Sequence, residues 1–260
     1  MEKYLYKYLS FPSFVDIIQR KELHFVLPSE WEDTEESSFV YEWASNLDEV
    51  LSKFITILMV NRTYAQSWTF LSESDAMWRI YSYDNQSVRI KIDVSSIKKL
   101  EGVRMLRVEY SDKLIPYSTE NLSHSEMILK YIAQKREAFK HENEVRLLYI
   151  DKIDENKVEP AIRNLYYFLM GEAGKTDDLD FSKIDLDELK EYINYTNICG
   201  DRPNHKVSFG HIAGFVEGVM VHPLAPEWYT DMVKMFCEIN SIPFEGKSEL
   251  YKGKQELKMR

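Results

Sequence analysis

The chain has 260 residues, 44% of them hydrophobic and 13% aromatic, with 33 basic residues against 43 acidic ones and a net charge of −10. That composition supplies a folded core and speaks against a broad phosphate-binding surface, because duplex binding draws on Lys and Arg. Two cysteines, Cys199 and Cys237, cannot make a disulfide framework; with no apolar run long enough to span a bilayer and no leader-like amino terminus, a cytoplasmic protein that stays off membranes is expected.

The opening predicts strand, helix, strand. Tyr4–Tyr8 alternates, Ser10 or Ser13 can cap a helix over Phe14–Lys21, and Leu23–Leu27 is a strand halted by Pro28. An acidic loop follows, with Glu30, Trp31, Glu32, Asp33, Glu35 and Glu36. The spacing of Val50, Leu51, Phe54, Ile57 and Leu58 predicts a helix over Leu47–Arg62. Next come a strand over Ala65–Leu71, a short helix over Asp75–Tyr81 capped by Ser74, and a strand over Ser87–Asp93. A helix over Ser95–Leu100, a strand over Val103–Tyr110, a long helix over Ser123–Phe139 and a strand over His141–Ile150 complete the first part.

Residues 151–205 change character: Glu172 to Glu191 holds eight acidic residues against three lysines, which predicts a helical insertion with a solvated flank. A strand over Gly214–Val221, a helix over Pro226–Ile239 and a last short strand near Leu250 close the chain. Strands and helices out of strict alternation predict an α+β fold. Its mostly antiparallel sheet forms a cleft, with one core domain made of residues 1–150 and 206–260.

Several motifs fail on spacing. Gly171–Thr176 reads GEAGKT, but a phosphate loop needs a glycine at position 169, which is Leu169. Cys199, His205, His211, His222 and Cys237 lack the close pairing of a zinc site, so no metal centre is expected. There is no G-x-S-x-G or H-E-x-x-H pattern. A basic strip from Arg89 to Arg107 reads as a solvated face, with nucleic acid or phosphate as the other reading.

Two segments carry chemistry. In KHENEVRLLY (Lys140–Tyr149), alternation on a strand puts Glu142, Glu144 and Arg146 on one face and Val145, Leu147 and Tyr149 on the other. Adjacent carboxylates repel unless a partner relieves them. The three residues therefore form either a solvent-facing charged ladder or a glutamate pair lining a cleft. In Gln66–Tyr83, Trp78 and Tyr81 lie three apart on a short helix with Ser67, Ser72 and Ser74 upstream, which is either core or a pocket edge. Trp31 in the acidic loop reads as a cover over something apolar.

The order LYKY, LHFVLPSEWEDTEE, SWTFLSESDAMWRIY, SVRIKID, KHENEVRLLY, with GFVEGVMVHP and KSELY at the end, resembles a bacterial family known as a domain of unknown function. Members of that family carry a tyrosine–basic opening, an Asn-Asp-Pro-x-Glu loop, a Met-Trp-x-x-Tyr helix and a Glu-x-Glu-x-Arg strand. The loop here departs from that pattern, reading Glu32-Asp33-Thr34-Glu35, and Asn85-Gln86-Ser87 replaces the usual glycine. The resemblance covers residues 3–150 and 212–251.

More distantly the layout is similar to ADP-ribosyltransferases, and this implies NAD as substrate. Under it Lys7 takes the first basic position, where those folds carry Arg or His, Ser67 the hydroxyl position and Glu142-x-Glu144 the glutamate pair. Glu144 would hold the ribose and stabilise developing positive charge, and Glu142 would serve the acceptor. Trp78 or Tyr81 would stack the nicotinamide ring and Lys7 would meet the pyrophosphate, with Arg146, Trp31 and Glu35 completing the cofactor-binding set. By analogy such a chain is a bacterial defence or toxin-type effector whose acceptor is protein or nucleic acid. Two other readings stand beside it: a non-catalytic module that binds a nucleotide or a protein, and a nucleic-acid processing enzyme holding Mg2+ on Glu35, Glu142 and Glu144. A homo-oligomer is compatible with all three.

Overall fold

The computed structural model describes residues 2–31, 33–47, 50–82, 84–118, 120, 122–151, 160, 193, 204–212 and 214–252. Apart from residues 151, 160, 193, 204 and 205, the acidic insertion lies outside them, and with it the GEAGKT segment and Cys199. Element order is β1 (Tyr4–Ser10), α1 (Phe11–Arg20), β2 (Glu22–Val26), α2 (Ser38–Ser45), α3 (Val50–Val60), β3 (Thr63–Thr69), α4 (Asp75–Ile80), β4 (Ser87–Asp93) and α5 (Val94–Ile97). It continues with β5 (Val103–Arg107), β6 (Glu109–Tyr110), α6 (His124–Ile132), β7 (Gln134–Lys135), β8 (Glu144–Ile150), β9 (Asn204–Ser208), β10 (Val216–Val221), α7 (Glu227–Ile239) and β11 (Phe244–Lys247). The fold is α+β, as expected. Among the described residues no helix is long and apolar enough to cross a membrane.

Local chemistry explains the early elements. Ser10 accepts the Ser13 N–H to cap α1, Pro12 occupies the first turn where a missing N–H costs nothing, and Lys21 at φ 57 ends the helix. Phe14, Ile17 and Ile18 are its buried face. The final strand is Phe244–Lys247 rather than one near Leu250. Asn204 and His205, assigned to the insertion from sequence, instead open β9, which pairs with β2.

Two predicted elements break where tertiary partners intervene. The helix expected over Ser123–Phe139 stops at Ile132. Gln134 then gives its side-chain amide to Ile115, accepting from Ile115 N–H and donating to Ile115 C=O, both at 3.0 Å. Those bonds hold Gln134–Lys135 extended as a parallel partner of Glu109–Tyr110. The same pairing ends the strand expected over Val103–Tyr110 at Arg107 and moves its last two residues into a second, two-stranded sheet.

The main sheet forks at β3. Along one edge β3 pairs with β8 over its whole length, from Thr63 opposite Ile150 to Thr69 opposite Glu144, and β8 pairs in turn with β5. The other edge meets β2 at Val26–Ala65 and β1 at Tyr6–Thr69. One arm continues β1-β4-β10-β11, the other β2-β9. All pairs in this sheet are antiparallel except β10 with β11. Helices α1 and α7 cover one face, where Phe14, Ile18, Tyr229 and Val233 join Leu5, Trp68, Val145 and Leu147. On the other face Val40, Trp43, Ile128 and Ile132 from α2 and α6 pack on Ala65 and Leu148.

Candidate functional site

Where β1 and β2 diverge from β3, the ladder leaves main-chain carbonyls without strand partners, and side chains take them over. Gln66 Nε2 donates to His24 O at 3.0 Å, and Lys7 Nζ donates to Ser67 O at 2.7 Å. A cleft of about 550 Å3 opens in this fork. Its walls are aromatic, from Trp31, Trp68, Tyr81 and Phe139, and its polar lining includes Lys7, Ser67, Glu142 and Glu144.

The floor is a buried charge network. Glu144 Oε1 accepts from Ser67 Oγ at 2.6 Å and from Arg146 Nε at 2.9 Å, while its Oε2 meets Lys135 Nζ at 3.0 Å. Lys135 also contacts Glu36 and Glu142, each at 2.8 Å, and Arg146 reaches Glu36 at 2.7 Å. The remaining Arg146 nitrogen donates to Ile132 O. Buried ions of this kind persist only when each is paired and hydrogen-bonded. Three carboxylates face two cations, which leaves one negative charge over.

Glu142 reaches this network by a different route from the one expected. It is not on the strand: it ends a 3-10 turn over Glu137–Glu142, and Asn143 at φ 45 reverses the chain into β8. Thr69 fixes the corner by donating to Glu142 O at 2.6 Å. The two glutamates therefore meet through the ammonium of Lys135 and not through strand alternation. Nor is the strand a solvent-facing ladder: Glu144 and Arg146 are 4% and 0% exposed.

The electrostatics separate the groups. Burial by itself would raise Glu144, but the charges of Arg146 and Lys135, with hydrogen bonds from Arg146 and Ser67, hold it down to about 2. Burial dominates at Glu142 and raises it despite Lys135. Burial opposes the charge on Lys135 too, yet Glu144, Glu36 and Glu142 carry it above its ordinary value. Lys7 has no carboxylate within ion-pair distance among the described residues, and burial, opposed in part by Glu144, pulls it down to about 8.

The cleft thus brings together Lys7, Ser67, Glu142, Glu144, Trp31 and Tyr81. Three other expected residues do not face it. Trp78 is wholly buried, edge-on to Tyr8 at 4.7 Å and to His222 at 5.3 Å, so it backs a cleft wall instead of stacking a ligand. Arg146 lies under Trp31, 4.3 Å from the ring, and acts only through the carboxylates it holds. Glu35 is exposed, whereas its neighbour Glu36 supplies the network carboxylate, so Glu35, Glu142 and Glu144 do not assemble as a metal-binding trio. Among the described residues no cluster of His, Cys, Asp and Glu has metal-holding geometry.

Sequence reasoning missed Glu36 and Lys135. Glu36 is one of a run of acids in which no spacing singles out a member, and Lys135 sat inside an apparent helix. No family model matches the chain, and no curated protein or solved structure matches it.

Proposed function

We propose that the cleft binds NAD and cleaves its nicotinamide–ribose bond, as an ADP-ribosyltransferase-like enzyme or a glycohydrolase. The observation that carries this reading is the line from Lys7 through Ser67 to Glu144. It joins three strands at the fork through a 2.7 Å and a 2.6 Å hydrogen bond, under aromatic walls.

Each residue then has a defined task. Lys7, a cation without a carboxylate partner among the described residues, meets a phosphate of the ligand. Tyr81 and Phe139 enclose flat rings. The C1′–N1 bond breaks with its electron pair moving onto the pyridinium nitrogen, which leaves positive charge on the ribose. Glu144 stays ionised, and the surplus negative charge of its network stabilises that cation without rearranging. The oxygen of water or of an acceptor forms the new bond to C1′, and its proton passes to Glu142, which burial makes a stronger base than an ordinary carboxylate.

A second reading has its own observation. Both Glu144 oxygens are already occupied, as befits the keystone of a non-catalytic pocket that binds a nucleotide. Free nicotinamide released from NAD by the purified chain decides between them, measured with and without cell extract as an acceptor source. Release that is lost in Glu142→Gln, with the melting temperature unchanged, supports the enzyme. Saturable NAD binding without release moves the conclusion to the binding module.

A further inference from the structure

Two lysines line the cleft, and their surroundings differ. Lys135 is held by Glu36, Glu142 and Glu144. Lys7 has a single hydrogen-bond acceptor among the described residues, Ser67 O at 2.7 Å, with the Trp68 ring 5.8 Å away. The acids around it are committed elsewhere. Glu144 is occupied by Ser67, Arg146 and Lys135, and Asp16 of α1 holds Arg20 at 2.6 Å with His24 3.5 Å away.

Lys7 stands where two hollows meet. One is the cleft, and the other, of about 650 Å3, runs along α1 past Ser13, Asp16 and His24. A small molecule in either lies against the lysine. Burial, opposed in part by Glu144, holds the amine at about 8. On the order of a hundred times more of it is therefore neutral at pH 7 than of an ordinary lysine. Desolvated lysines in apolar pockets act as nucleophiles toward carbonyl groups. Ser67 O accepts an N–H from the charged or the neutral nitrogen alike, so it fixes the amine without occupying the lone pair.

We infer that Lys7 is a nucleophile of the cleft that takes up aldehydes carried on a flat aromatic ring, as an imine. The lone pair of Nζ adds to the carbonyl carbon while the C=O π pair moves to oxygen. Both amine protons then leave with that oxygen as water, and a C=N bond remains. Trp31, Tyr81 and Phe139 in the cleft walls favour a flat ring over an aliphatic chain. Lys135 cannot compete, because its three carboxylates keep it protonated. The inference stands on the surroundings of Lys7 and does not require NAD cleavage.

The test treats the intact chain near neutral pH with pyridine-3-carbaldehyde or with propanal, in the presence of cyanoborohydride. Hydride delivered to the imine carbon traps each adduct as a secondary amine, and peptide mass spectrometry maps the sites. Every rate is divided by that of exposed Lys113 in the same sample. With the aromatic aldehyde Lys7 should lead by about tenfold or more, with propanal by less, and in urea not at all. A Lys7 that reacts no faster than Lys113 overturns the inference, and so does an equal lead for the two aldehydes. In Lys7→Arg the fast site should vanish; a fast label that survives there belongs to another residue and overturns the assignment.

Discussion

Ser67 and Glu144 bond diagonally. The register sets Ser67 opposite Arg146 and Thr69 opposite Glu144, yet Ser67 Oγ donates to Glu144 Oε1 at 2.6 Å. The diagonal leaves Arg146 free to fork between Glu144 and Glu36, so one hydroxyl, one guanidinium and one ammonium hold the whole floor of the cleft. Such a network fails as a unit when one member goes.

Removing one buried partner strands the others. Glu144→Gln and Arg146→Leu are each expected to cost roughly 3–5 kcal/mol, read from urea unfolding. Arg146→Lys should recover only part of the loss, because a single ammonium cannot bond Glu36, Glu144 and Ile132 O together. Full stability in Arg146→Lys would show that the fork does not matter.

Acid should weaken the fold through Glu144. Its folded value of about 2 lies below the ordinary glutamate value, so the stability it contributes is present above that ordinary value and lost as pH falls toward 2. Glu142 shifts the other way and offsets part of the loss. Melting temperatures measured across this range should fall steeply in the wild type and less steeply in Glu144→Gln.

Lys7 has the opposite economy. Its folded value of about 8 lies below 10.5, so the fold favours the neutral amine and carrying the charge at neutral pH is destabilising. Lys7→Met relieves that charge but leaves Ser67 O without its donor, so its stability relative to the wild type should fall by about 1–2 kcal/mol between pH 7 and pH values above 10.5, where the unfolded amine is neutral as well. The same variant should bind NAD worse, which a titration calorimeter would show.

If Lys7 meets phosphate as a cation and Glu142 acts as a base, kcat/KM for nicotinamide release follows a bell in pH. The alkaline limb falls near 8, where Lys7 loses its proton, and Lys7→Arg should remove that limb. The acid limb should sit above the ordinary glutamate range, following Glu142. An alkaline limb that persists in Lys7→Arg would assign it to another group.

Asn143 at φ 45 is the corner that brings Glu142 beside Glu144. Asn143→Gly should be close to neutral in stability, whereas Asn143→Val should cost about 1–2 kcal/mol, because a β-branched residue resists the left-handed region. Chemical denaturation of the pair measures the difference.

Elements with strong local signals were legible in the sequence, and those set by distant partners were not. Strand β4 reads directly from the alternation in Ser87–Asp93, and Ser74 marks where α4 begins, while Ser10, one of two candidate caps, starts α1 at Phe11, three residues before the expected Phe14. Helix α2 went unread between the acidic loop and α3, although Phe39, Val40, Trp43 and Ala44 are its buried face. The true end of α6 depends on Ile115, nineteen residues before Gln134, and no window of sequence contains that bond. The site divides the same way. Lys7 and Ser67 were singled out through the resemblance and Glu144 through its strand pattern, whereas Lys135 and Glu36 join the cleft only because a parallel two-residue pairing and a 3-10 turn aim them inward. Trp78 looked like a ligand platform, since its spacing on α4 cannot show that Tyr8 already covers it.

The forked strand has a consequence for how the chain is made. One edge of β3 needs residues already synthesised, from β1 and β2, while the other needs β8, which ends at Ile150. On a ribosome the first sixty-nine residues can pair β3 with only the first strand of each arm, β1 and β2, and the cleft has no floor until about eighty more have emerged. Until then Glu36 waits for the cations that Lys135 and Arg146 bring, so an unfinished chain cannot hold the candidate site in working order.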